Sequence, residues 1–124
     1  MAHPVVYIID NDEAVRSALG ALIKAHGWSA RSFDSASAFL EAGIPAEASA
    51  TCLLVDVELD GMSGVELQDH LLELGHALPT VIVTARPDQP VIRRKQAGGA
   101  LTVLGKPFEA DDLIQAIGAA MAST

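Results

Sequence analysis

Thr51-Cys52-Leu53-Leu54-Val55, ended by Asp56, is the stretch that decides how this chain folds. A run so short and so apolar leaves no polar stripe to face water, so it reads as a β-strand buried on both faces and closed by a carboxylate. Outward from it, Val5–Ile9 and Thr80–Thr84 share that character, and Trp28–Phe33 and Leu101–Leu104 are further strand-like runs. The first, third and fourth runs, being almost wholly apolar, belong in the middle of a sheet.

Helical patterns fill the gaps. Between Asn11 and His26 the residues Ala14, Val15, Ala18, Leu19, Leu22 and Ile23 recur at helical spacing, and Gly27 supplies a stop. Ser35–Ala42 reads as a short helix ended by Gly43, followed by a loop over Ile44–Ala50 around Pro45. Ser63-Gly64-Val65-Glu66 has the form of a capping box and opens a third helix, closed by Gly75 and Pro79. Pro90–Ala97 predicts a short basic helix before Gly98-Gly99. In the last helix Glu109, Asp111 and Asp112 suit the positive end of the dipole, and Leu113, Ile114, Ile117, Ala120 and Met121 form the buried stripe. Strict alternation of strand and helix predicts an α/β fold, a doubly wound five-stranded parallel sheet, with its ligand crevice beyond the carboxyl ends of the strands.

Composition narrows the function. The 124 residues, half of them hydrophobic, suffice for one ordinary core and are expected to form a single domain over 1–124. Sixteen acidic against eight basic residues give a formal charge of −8, which disfavours direct binding to nucleic acid and to anionic membranes. The single cysteine, Cys52, has no internal disulfide partner, and Val5–Ile9 is too short for a signal or membrane segment, so a cytoplasmic location is expected.

What stands at the strand ends carries the chemistry. Asp10-Asn11-Asp12 follows the first strand, Asp56 the third, Thr84 ends the fourth, and Lys106-Pro107 lies just past the fifth. Clustered carboxylates favour a hard divalent cation with oxygen ligands, and Mg²⁺ keeps water positions that phosphate oxygens can take. A carboxylate beside that metal can attack a phosphoryl group while a hydroxyl and an ammonium bind its oxygens. Asp56, abutting the central strand, is the expected nucleophile.

The blocks 5–16 (Val-Val-Tyr-Ile-Ile-Asp-Asn-Asp-Glu-Ala-Val-Arg), 53–64 (Leu-Leu-Val-Asp-Val-Glu-Leu-Asp-Gly-Met-Ser-Gly), 81–85 (Val-Ile-Val-Thr-Ala) and 105–108 (Gly-Lys-Pro-Phe) resemble, in order, the signatures of response-regulator receiver domains of two-component signalling, most closely the FixJ-like subfamily. The resemblance implies the flavodoxin and chemotaxis-receiver strand order 2-1-3-4-5. It implies Asp56 as phosphoacceptor, Asp10 in the acidic pocket, Thr84 as switch hydroxyl and Lys106 as the phosphate-binding lysine. Mg²⁺ would be held by Asp10, Asn11, Asp56 and the backbone carbonyl of Glu58, and the Lys106–Pro107 bond matches a position that is usually cis. The implied partners are a sensor histidine kinase or phosphotransfer protein, a downstream output domain or protein, and a second copy of the chain on phosphorylation. Such a domain turns over only its own phosphoryl group and is no enzyme toward other substrates.

Three departures stand out: Asn11 replaces the usual second Asp, Val103 the usual aromatic switch ring, and Asp60 a common Pro. The first two support a rival reading, a pseudo-receiver that binds partners without useful phosphorylation; a flavodoxin-like small-molecule binder has only the fold behind it. Singly, the residues have plainer explanations: Asp10 a helix cap, Thr84 a strand threonine, Lys106 a solvated cation, Arg93-Arg94-Lys95 a solvated face, Cys52 a core residue. Ser63 lacks nucleophile-elbow spacing, the four histidines lack ligand spacing, and no Gly-x-Gly-x-x-Gly or P-loop is present.

Overall fold

The computed structural model describes residues 4–43, 51–59, 61–97 and 102–122; the expected loop at Ile44–Ala50, Asp60, Gly98-Gly99 and Leu101 lie outside them. Strands β1 (Val5–Ile9), β2 (Ser29–Phe33), β3 (Thr51–Asp56), β4 (Thr80–Thr84) and β5 (Thr102–Gly105) alternate with helices α1 (Glu13–Ala25), α2 (Ala36–Ala42), α3 (Gly64–Glu73), α4 (Pro90–Ala97) and α5 (Ala110–Ala122). All pairings are parallel, in the order β2-β1-β3-β4-β5.

The pleat explains why both faces are apolar. Leu53 and Val55 join Ile9 and Ile82 under Phe39 of α2, Leu67 and Leu71 of α3 and Ile92 of α4. Cys52 and Leu54 join Val6, Ile8, Val81 and Val83 on the opposite face, under Leu19 and Ile23 of α1 and Leu113 and Ile117 of α5. Each fully buried Leu or Ile contributes about 1.5–3 kcal/mol. Cys52 belongs to this core: it is 0 % exposed, and burial pushes its thiol up to about 12, so it stays protonated near neutrality.

Helix ends follow the signals in the sequence. Ser63 Oγ accepts from the Glu66 N–H and Glu66 Oε1 accepts from the Ser63 N–H, the expected capping box. Trp28, expected in the second strand, instead completes the end of α1: with Gly27 at φ 99°, the Trp28 N–H reaches Ile23 O and the Gly27 N–H reaches Lys24 O. The strand therefore begins one residue later. Gly75 repeats the motif at the end of α3, with His76 N–H to Leu71 O.

Candidate functional site

The first strand end is organised by two aspartates with separate tasks. Asp12 caps α1, its Oδ1 accepting from the N–H groups of Ala14 and Val15 at 2.9 and 3.3 Å. Asp10 is thereby spared capping, and is buried at 5 % exposure with its Oδ1 accepting the Asp12 N–H at 2.8 Å. Asn11 lies exposed between them.

Asp56 is the last residue of β3, paired with Val83 of β4. Its two oxygens are engaged separately: Oδ1 accepts from the backbone N–H of Glu58 at 2.8 Å, and Oδ2 accepts from Lys106 Nζ at 2.8 Å. Lys106 is delivered by β5, where its N–H donates to Thr84 O at 2.8 Å, and the Lys106–Pro107 peptide is cis. Asp10, Asp56 and Lys106 line one small cavity of about 20 Å³ with the apolar Ile9, Leu54, Val83 and Phe108. Three of the expected residues are therefore gathered from three strand ends. The Glu58 side chain is exposed; its backbone is what bears on Asp56.

Thr84 ends β4 at 1 % exposure, opposite Gly105 of β5. Its Oγ1 accepts from the Arg86 N–H at 3.0 Å, which ties the hydroxyl to the loop leading into α4. That loop also touches β5: a Cβ on Gly105 would meet Pro87 Cγ at 3.3 Å, so the glycine lets the proline ring settle on the strand. Val103, at the aromatic position, is half-buried against the face that includes Ile82 and Ile92.

Burial raises the pKa of Asp10, the Asp12 N–H opposes this, the Asp56 carboxylate adds to the rise and Lys106 again opposes it. The Lys106 ammonium is held above its ordinary value first by its hydrogen bond to Asp56, against its own partial burial. Two neighbouring carboxylates, one of them buried, fit a hard divalent cation, which would relieve their repulsion. Among the described residues no group of three or more His, Cys, Asp or Glu could hold a metal ion. Asp10 and Asp56 are two carboxylates of the kind a hard, oxygen-liganded cation takes, with water completing its shell.

A stability prediction follows from the raised pKa of Asp10. The folded state favours the neutral acid, so this group costs nothing below the usual carboxylate range, and the cost grows as pH rises through the raised folded value. Asp10→Asn is therefore expected to raise the unfolding midpoint of the metal-free protein at pH 7, with little effect near pH 3. An equal shift at both pH values, measured by thermal denaturation, would contradict it.

Two further residues shape the site without having been picked out in the sequence. A Cβ on Gly64 would come within 2.9 Å of Val55 Cγ1 and 3.0 Å of Asp56 O, so only glycine lets α3 start against β3. Arg16 donates from Nη1 to Asp10 O at 2.7 Å. Its only sequence signal is a positive charge near the start of a helix.

Residues 6–118 match the family model described as "Response regulator receiver domain". The response regulator protein TmoT of Ectopseudomonas mendocina is 36% identical over 118 residues, covering 94% of this chain and 52% of TmoT. The transcriptional regulatory protein FixJ of Azorhizobium caulinodans is 34% identical over 116 residues, covering 94% of this chain and 54% of FixJ. The chain thus spans about half the length of these curated relatives. Among solved structures, FixJ-N superposes with a TM-score of 0.85 at 30% identity, covering 100% of this chain and 98% of that one. The response regulator StyR gives 0.86 at 38% identity, covering 98% of this chain and 61% of that one.

Proposed function

The chain belongs to the response regulator receiver domain family, and on that premise we propose that it is a Mg²⁺-dependent phosphoacceptor switch whose nucleophile is Asp56. The observation that carries this reading is the 2.8 Å bond between Lys106 Nζ and Asp56 Oδ2, fifty positions apart in the chain, beside the buried carboxylate of Asp10. A carboxylate held by an ammonium at a strand end, with a second carboxylate against it, is organised for charge and not for packing.

In the transfer an oxygen of Asp56 forms a bond to phosphorus as the donor's P–O or P–N bond breaks, and the leaving group takes the electron pair. Mg²⁺ bound at Asp10, Asn11, Asp56 and the Glu58 carbonyl would supply charge neutralisation for the phosphoryl oxygens. Lys106 swings from the carboxylate to an incoming phosphoryl oxygen. Thr84, whose Oγ1 already accepts the Arg86 N–H, keeps its own hydrogen to donate to another.

The donor is a histidine kinase or phosphotransfer protein, and the reader is an output domain, a separate protein or a second copy of the chain, in the cytoplasm. The chain turns over its own phosphoryl group and no other substrate. Among the described residues no helix is long and apolar enough to cross a membrane.

The rival pseudo-receiver reading draws on Asn11, which brings an amide oxygen where a second carboxylate would bring charge. Incubation with Mg²⁺ and a small acyl phosphate, followed by intact-mass measurement, separates the two: the switch gains one phosphoryl group, the interaction module gains none. Asn11→Asp is expected to tighten Mg²⁺ binding several-fold by calorimetry, because charge–charge attraction is added at the ligand position. Unchanged or weaker binding would show that Asn11 does not face the metal.

A further inference from the structure

Arg16 is oddly placed for a cation. It is the fourth residue of α1, near the positive end of the helix dipole that disfavours a positive charge, and in a chain with few basic residues its position calls for a specific partner. The partner is the backbone of Asp10: Nη1 donates to Asp10 O at 2.7 Å, a short charge-assisted bond, and the arginine is half-buried. The Asp10 N–H is taken by Phe33 O at 3.2 Å and Oδ1 by the Asp12 N–H at 2.8 Å. With Arg16 on its carbonyl, Asp10 is tied through main chain and side chain alike.

From this geometry we infer that Arg16 is a positioning residue for the metal-binding carboxylate, fixing the peptide that aims Asp10 toward Asp56. The inference rests on the reading of Asp10 as a Mg²⁺ ligand. The guanidinium bonds the carbonyl and not the carboxylate, so its contribution is orientation. Arg16 also lines a groove of about 500 Å³ with Glu13, Ser17, Gly20, Lys24 and Ala30. A methionine at this position keeps a long unbranched stem and loses the donor together with its charge.

Orientation and plain electrostatics make opposite forecasts. Removing a cation near a Mg²⁺ site strengthens metal binding if charge alone matters, whereas removing the anchor weakens it. Calorimetric Mg²⁺ titration of the wild type, Arg16→Met and Arg16→Lys decides between them, with amide hydrogen exchange at Asp12 in metal-free protein as an independent readout. Both variants are expected to bind roughly tenfold more weakly, as for other groups that hold a metal ligand in place, and to exchange the Asp12 amide faster. Lysine keeps the charge but is too short to restore the bond, so it does not rescue. Arg16→Met binding Mg²⁺ as tightly as the wild type, or more tightly, overturns the inference, as does full rescue by Arg16→Lys. A wild type that binds no Mg²⁺ overturns the metal-site reading itself, and the inference with it.

Discussion

Asp56→Asn is expected to abolish the phosphoryl adduct that the wild type forms with Mg²⁺ and an acyl phosphate. The substitution keeps the shape and can keep the Glu58 N–H bond at Oδ1, but the amide has neither the charge nor the nucleophilicity of the carboxylate. It also removes the group that holds Lys106 and raises its pKa, so both the nucleophile and the resting counter-ion disappear together. The effect is all or nothing in intact mass. An adduct of equal yield in the variant would place the acceptor elsewhere and sink the assignment, provided circular dichroism reports an unchanged fold.

Lys106→Ala is expected to slow adduct formation by about 10²–10³-fold, the usual cost of removing one preorganised donor aimed at charge that develops in the transition state. The donor here is preorganised by its own backbone, since the Lys106 N–H is fixed to Thr84 O at 2.8 Å. The lysine side chain is 37% exposed, so little folding stability goes with it, and a normal unfolding midpoint should accompany the slow rate. Arginine is a poor substitute because its fork is longer and planar where a compact ammonium is needed. A rate within error of the wild type would show that the ion pair with Asp56 is a resting contact only.

Much of the architecture was legible in the sequence because apolar periodicity and turn residues are local signals. The two-faced core follows from Leu53 and Val55 alternating with Cys52 and Leu54. The rim of Asp10, Asp56, Thr84 and Lys106 was legible for the same reason, each residue marking where an apolar run stops. What stayed hidden was tertiary. Trp28 looks like a strand residue until Gly27 turns the chain and its N–H completes the helix end. Asp10 and Asp12 are chemically alike, and only the fold assigns the cap to one and the buried carboxylate to the other. Arg16, Gly64 and the seat of Pro87 on Gly105 depend on close approaches between elements that no spacing in the chain announces.

Those approaches also bear on how the proposed phosphorylation would be read. Valine has a short, β-branched side chain with restricted rotamers, so Val103 cannot sweep inward as an aromatic ring would. Thr84 holds the Arg86 N–H, and Pro87 next along the loop rests on Gly105, so on the proposed reading a movement of the hydroxyl would be passed to residues 85–89 and to α4. Driving a two-state equilibrium from about 1:99 to 99:1 takes roughly 5.5 kcal/mol of differential stabilisation, and with the ring contribution missing the shift is expected to be partial.

The most direct test of this account is amide hydrogen exchange with and without beryllofluoride and Mg²⁺, beryllofluoride standing in for the phosphoryl group on Asp56. The predicted result is a change centred on residues 84–97, weaker over 102–105. Exchange altered chiefly on α1 or α2 away from Asp56, with 84–97 silent, would contradict it.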